Sequence, residues 1–80
     1  MTLEELKSIT ECNDWNIGAL GKVFSVIYHF DDDYRAYAVY NNVSKLFYVN
    51  YNVTLSPLKQ VSLEETKAFI KKYKKLQIFS

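Results

Sequence analysis

Three runs of alternating apolar and polar residues occupy the centre of the chain. Residues 22–30, 34–41 and 45–52 are rich in β-branched and aromatic side chains, a composition typical of strands. An Asp-Asp-Asp sequence at 31–33 and an Asn-Asn-Val-Ser sequence at 41–44 separate the runs, and such residues favour tight turns. The pattern predicts a three-stranded antiparallel meander.

A helical pattern lies on each side of the meander. A Thr/Ser-Leu-Glu-Glu motif begins at residue 2 and again at residue 62, which matches a capping box at a helix N-terminus. Apolar residues then recur every three or four positions, as on one face of a helix. We expect helices over about 3–12 and 63–75, with Trp15 and Ile17 buried beside the first.

The turns also predict the strand register. If Phe30 lies opposite Tyr34 and Asn41 opposite Ser44, the alternation of side chains divides the sheet into two faces. The expected core face carries Phe24, Val26, Tyr28, Phe30, Tyr34, Ala36, Ala38, Tyr40, Phe47, Val49 and Tyr51. On the outer face this register places Tyr37 opposite Tyr48.

The predicted fold class is therefore α+β. We expect a two-layer α-β-β-β-α arrangement, in which both helices pack on one face of the three-stranded antiparallel meander. At 80 residues the chain is predicted to form a single domain over 1–80, since this length is near the small end of what folds alone.

Charge, cysteine content and the length of the apolar runs limit the kinds of site, partner and cellular location that the chain can have. The formal net charge is +1 and there is one cysteine, so neither a disulfide framework nor a cysteine-based zinc site is possible within the chain. No apolar run approaches the roughly 20 residues that span a bilayer, and the N-terminus lacks a signal-peptide pattern. We expect a cytoplasmic protein with no membrane partner.

No group of residues predicts catalysis. His29 is the only histidine and is expected on the outer strand face without a second metal ligand beside it. Asp31, Asp32 and Asp33 lack the spaced oxygens and the glycine of a calcium-binding loop. Cys12 is expected to be a free, partly buried thiol. We predict a protein that is not an enzyme and has no cofactor, metal site or catalytic residue.

The outer sheet face gives the main functional hypothesis. Its apolar and aromatic side chains form a patch of the kind that usually marks an interface, and tyrosine and arginine are typical anchors. An alternative is that the first helix or the C-terminal tail crosses over and covers it. We predict a small protein-binding module, or a homodimer, that uses Ile27, Arg35, Tyr37, Val39, Leu46 and Tyr48.

The second helix supports a different hypothesis. Four lysines recur at helical spacing, with a fifth beside them, and form a basic stripe that is able to follow a nucleic-acid backbone, with Tyr37 and Tyr48 as a stacking platform. A solvated helix face whose charges suit the helix C-terminus is the simpler interpretation. The alternative function is thus a nucleic-acid-binding domain that uses Lys67, Lys71, Lys72, Lys74 and Lys75.

Residue bias adds a hypothesis about origin. Lysine accounts for nine of the ten basic residues, and asparagine, tyrosine, isoleucine and phenylalanine are plentiful. These residues have AT-rich codons. A small domain with this bias and no catalytic set suits an inhibitor or regulator encoded by a phage or mobile element.

Overall fold

A computed structural model describes residues 1–30, 34–50 and 58–78 of the chain. Two helices pack against a five-stranded antiparallel sheet with strand order β1-β2-β3-β4-β5. The elements are α1 (Leu3–Thr10), β1 (Asn16–Ile17), β2 (Val23–His29), β3 (Arg35–Asn41), β4 (Leu46–Asn50), β5 (Lys59–Val61) and α2 (Leu63–Ile78). The predicted α+β class is confirmed.

The predicted meander forms the centre of the sheet, and the expected total of three strands is wrong. β1 adds one edge, where Asn16 lies opposite Ser25. β5 adds the other edge, where Val61 lies opposite Phe47. Segments of two and three residues are too short to show the alternation that identifies a strand in a sequence.

Both predicted N-caps are present, and at Ser62 the capping box is complete because the Ser62 N–H donates to Glu65 Oε1 at 3.3 Å. Thr2 Oγ1 accepts a hydrogen bond from the backbone N–H of Glu5 at 3.2 Å, and Ser62 Oγ accepts one from Glu65 at 3.1 Å. α1 ends earlier than predicted because Glu11 adopts a left-handed conformation with φ 55°. α2 continues further, to Ile78, so residues 76–78 of the expected tail belong to the helix.

Both helices pack on the predicted core face. Leu6 of α1 and Ile70 of α2 belong to the same buried cluster as the side chains of β2, β3 and β4. Ala36 and Ala38 are fully buried at the centre of β3. The buried residues of this cluster are Leu6, Cys12, Trp15, Phe24, Val26, Tyr28, Ala38, Tyr40, Phe47 and Ile70.

Two residues that were predicted to be buried are exposed, and a third lies outside the described residues. Tyr34 was expected on the core face but is 52% exposed immediately before β3. Ile17, expected to be a buried plug, is 60% exposed on the edge strand. Tyr51 lies outside the described residues.

The first hairpin has the predicted register and the second does not. Val26 lies opposite Ala38, as expected. Asn41 lies opposite Leu46 rather than Ser44. The Asn41 side chain explains the longer turn, because its Oδ1 accepts hydrogen bonds from the N–H groups of Val43 at 2.9 Å and Ser44 at 3.1 Å. Turns of this Asx type are stabilised by the side chain itself.

This change moves β4 by two positions relative to β3, so every side chain keeps its predicted face. The cross-strand partners do change. Tyr37 lies opposite Asn50, and Tyr48 lies opposite Val39. The expected Tyr37–Tyr48 pair is therefore wrong, and these two tyrosines are diagonal neighbours.

Candidate functional site

The outer face of the sheet brings the predicted interface residues together. One row across the strands consists of Ile27, Tyr37 and Asn50. The next consists of Ser25, Val39, Tyr48 and Gln60. Ile27 and Tyr37 are thus adjacent to Val39 and Tyr48 on one surface.

Exposure varies across this face. Ile27 is 47% exposed on β2, beyond the two positions of that strand that pair with β1, whereas Tyr37, Val39, Leu46 and Tyr48 are half-buried. Arg35 is exposed at the end of the face, opposite His29. The result is an apolar centre with an exposed arginine at its margin.

The proposed covering of this face by α1 is not seen, because α1 packs its Leu6 side chain into the core on the other face. α2 likewise directs Ile70 into that core. The remaining tail residues, 79 and 80, lie outside the described residues. Asn50, by contrast, is buried on the outer face, with 5% of its surface exposed.

Four of the five predicted lysines border one groove between α1 and α2. The groove has a volume of about 570 Å³, and Thr10 and Ile70 contribute to its lining. Two acidic side chains, Glu11 and Glu64, also line it. The four lysines are Lys67, Lys71, Lys74 and Lys75.

Lys72 does not belong to this group. Its Nζ lies 5.2 Å from the centre of the Tyr73 ring, and it borders a separate depression with Lys59 and Glu65. Lys74 is also engaged, since its Nζ lies 3.5 Å from Asp14 Oδ2. The groove therefore contains the four lysines expected at helical spacing, and Lys72 lies outside it.

Asp14 connects three parts of the fold. Its Oδ2 accepts a hydrogen bond from the Tyr28 hydroxyl at 3.3 Å and pairs with Lys74 of α2. The Cys12 Sγ lies 3.3 Å from the Tyr28 hydroxyl oxygen. Burial, followed by the contacts with Cys12 and then Asp14, raises the pKa of Tyr28 far above its usual range. These contacts join the loop after α1 to β2 and α2.

The loop that carries Asp14 is held by a buried chain of hydrogen bonds. The Trp15 indole N–H donates to Thr10 Oγ1 at 2.8 Å, and the Thr10 hydroxyl donates to the Leu6 carbonyl at 2.6 Å. Thr10 and Trp15 are 3% and 2% exposed, respectively. A buried indole N–H needs such a partner, so Thr10 positions Trp15 against the core.

The polar residues next to this loop line an open groove of about 900 Å³. It includes Lys7, Asn13, Asp14, Ser25, His29 and Lys74. Across the part of the chain that the structure describes, no three His, Cys, Asp or Glu side chains are grouped so that they could hold a metal ion. Cys12 is 1% exposed, so it does not present a thiol to this groove. Asp31, Asp32 and Asp33 lie outside the described residues.

A second apolar surface was not anticipated from the sequence. Among the described residues, the three most exposed large hydrophobic side chains are Leu20 at 94%, Val43 at 70% and Ile17 at 60%. Leu20 and Val43 stand within turns, where polar residues are usual. That mismatch between residue type and turn position is the sequence signal that could have identified them.

Within the described ranges, neither helix is long and apolar enough to cross a membrane. Comparisons of the chain with protein-family models, with characterised proteins and with solved structures gave no match.

Proposed function

We propose that this protein is a small, non-enzymatic binding module that contacts another protein, or a second copy of itself, through the outer face of its sheet. The observation that carries this proposal is the position of Ile27. It lies on β2 beside Tyr37, beyond the two positions of that strand that pair with β1, with 47% of its surface exposed, on the face opposite to the one that both helices cover.

The residues around Ile27 support an interface. Tyr37 lies directly opposite it, and the Val39–Tyr48 pair forms the adjoining row. Half-buried tyrosines provide a large contact area with few rotatable bonds and a polar tip. Leu46 extends the apolar area towards one end, and the exposed Arg35 borders it at the other. A partner that buries this patch would gain mainly from apolar contact.

The alternative function, nucleic-acid binding through α2, has narrower support. Lys67, Lys71 and Lys75 do share one groove. Glu11 and Glu64 line the same groove and would repel phosphate. The groove also lacks an aromatic side chain among its described lining residues, so it offers no surface on which a base would stack.

Substitution on the two surfaces separates these functions. Ile27→Glu places a charge at the most exposed apolar side chain of the outer face, next to Tyr37, and should weaken a protein complex at least about tenfold, as for an interface anchor. Lys71→Glu combined with Lys75→Glu should leave that complex unchanged. The alternative would be supported if the protein complex survived Ile27→Glu and nucleic-acid binding were lost only in the lysine variant.

Leu76→Glu is the matched control for Ile27→Glu. Leu76 is 50% exposed on α2, so the same charge is introduced at a similarly exposed aliphatic position away from the outer face. A role as an inhibitor or regulator from a phage or mobile element is a further part of this proposal. It rests on the residue bias and the small size of the chain.

A further inference from the structure

The end of the sheet at which β2 begins carries an apolar tip, defined as Ile17, Leu20 and Val43. Leu20 stands in the β1–β2 turn and Val43 in the β3–β4 turn. The Asn42 N–H donates to the Lys22 carbonyl at 2.8 Å, which joins the two turns. Because the hairpins are adjacent in the sheet, their turns lie about two strand spacings apart, roughly 10 Å.

The backbone at Leu20 is unfavourable for a leucine. Leu20 has φ 57° and ψ 29°, Gly21 has φ 74°, and the Lys22 N–H donates to the Ala19 carbonyl at 3.0 Å. Positive φ at both central residues is the pattern of a type I′ turn, in which asparagine or glycine is preferred at the position of Leu20. A strained, almost fully exposed leucine at this position suggests a function.

The polar backbone groups of the tip are largely satisfied within the protein. In the first turn Gly21 and Lys22 donate to the carbonyls of Gly18 and Ala19. In the second turn the N–H groups of Val43 and Ser44 donate to the Asn41 side chain, and Lys45 N–H donates to the Asn41 carbonyl. Internal hydrogen bonding of this kind is what a segment needs before it enters an apolar medium.

The chemistry of the tip favours a lipid surface over a protein pocket. Its side chains are aliphatic, with Leu20 and Val43 in turns and Ile17 on the edge strand, whereas the anchors of protein interfaces are more often Trp, Tyr and Arg, and Leu and Val are under-represented. Lys22 and Lys45 are exposed beside them, and neither turn contains an acidic residue. Lysines next to an inserted apolar group are attracted by anionic headgroups.

From these observations we infer that the apolar tip inserts into the interface of an anionic lipid surface, with Lys22 and Lys45 at the headgroups. This site is separate from the outer face of the sheet. We predicted no membrane partner because no apolar run is long enough to span a bilayer and the net charge is only +1. Insertion of turns at a lipid surface requires neither a spanning segment nor a high net charge.

The test is co-sedimentation of the purified chain with phosphatidylcholine vesicles that contain 30% phosphatidylserine (roughly the charge of an anionic leaflet), compared with phosphatidylcholine alone. The native chain should bind the anionic vesicles more strongly. Leu20→Asn with Val43→Ser should lower the partition coefficient at least about tenfold, since each inserted CH₂ contributes about fourfold. Lys22→Glu with Lys45→Glu should remove the preference for phosphatidylserine.

The Leu20→Asn variant also tests whether the leucine is merely structural. It creates an Asn-Gly pair, which suits a type I′ turn, so its melting temperature should equal or exceed that of the native chain while vesicle binding falls. Leu76→Asn, on α2, is the control and should bind as the native chain does.

Three results would overturn the inference. The native chain would bind neither kind of vesicle, the folded Leu20→Asn, Val43→Ser variant would bind as well as the native chain, or Leu76→Asn would lose as much vesicle binding as that variant. Absence of vesicle binding would leave the tip as a contact for an apolar pocket on a protein. None of these results bears on the outer face, because Ile27 lies outside the tip.

Discussion

Val39 lies directly opposite Tyr48 on the outer face of the sheet. This pairing depends on the residues 42–45 that form the second hairpin turn, and on the two hydrogen bonds that the Asn41 side chain accepts there. The arrangement of the candidate interface is therefore determined at a turn outside it.

Asn41→Ala should destabilise the protein by about 1–3 kcal/mol, because two backbone N–H groups lose their acceptor at roughly 0.5–1.5 kcal/mol each. Urea denaturation measures this loss. Asn41→Asp keeps the acceptor oxygen and should cost less. Equal stability of Asn41→Ala and the native chain would show that the side chain does not maintain the turn.

Thr10→Val should cost about 1–3 kcal/mol, since the buried Trp15 indole N–H then has no acceptor. Thr10→Ser retains the hydroxyl and should recover most of the stability. Both variants can be compared by guanidinium unfolding followed through Trp15 fluorescence. A Thr10→Val variant that is as stable as the native chain, with a loss confined to Thr10→Ser, would indicate that the methyl group, and not the hydrogen bond, is the important part of Thr10.

Ala36→Leu should cost about 1–3 kcal/mol through overpacking, because Ala36 is fully buried where the sheet meets the helices. The exposed Ala68 of α2 provides the control, and Ala68→Leu should change stability little. Thermal unfolding of the two variants measures the difference. A fully stable Ala36→Leu variant would contradict the assignment of the core face.

Stability should fall at alkaline pH because of Tyr28. Its pKa is raised in the folded state, chiefly by burial, whereas an unfolded tyrosine titrates near pH 10. The unfolded chain therefore releases the Tyr28 proton first as the pH rises. The stabilisation is fully present below about pH 10 and is lost above it, with a slope of up to about 1.4 kcal/mol per pH unit.

Tyr28→Phe should remove this contribution to the slope. Urea unfolding of the native chain and the variant between pH 8 and 11 tests the prediction as the difference between two curves, in which the other tyrosines cancel. Parallel curves across this range would show that Tyr28 titrates normally in the folded protein.

Local features were the ones that the sequence could predict. The N-caps at Thr2 and Ser62 involve residues three positions apart, and the alternation in β2, β3 and β4 is long enough to separate the two faces of the sheet. The first hairpin followed from Phe30 and Tyr34, whose backbone groups are joined by a 3.1 Å hydrogen bond.

Other features depend on contacts between distant residues or on single side chains. The contact between Tyr28 and Asp14 joins residues 14 positions apart, and no periodic pattern indicates it. The second register was missed because Asn41 accepts two hydrogen bonds within the turn. The left-handed backbone of Leu20 does not follow from the sequence, although a leucine in a turn was a signal of its exposure. The alternation predicted that these side chains share the outer face, but not the pairing of the tyrosines.

The most direct test of the proposed function is quantitative affinity capture from an extract of the source organism, with the native chain, Ile27→Glu and Leu76→Glu as baits at equal concentration. Light scattering of the same samples reports self-association. We expect a complex, with another protein or with a second copy, that forms with the native chain and Leu76→Glu and is lost with Ile27→Glu. Equal complexes with all three baits would contradict a binding role for the outer face.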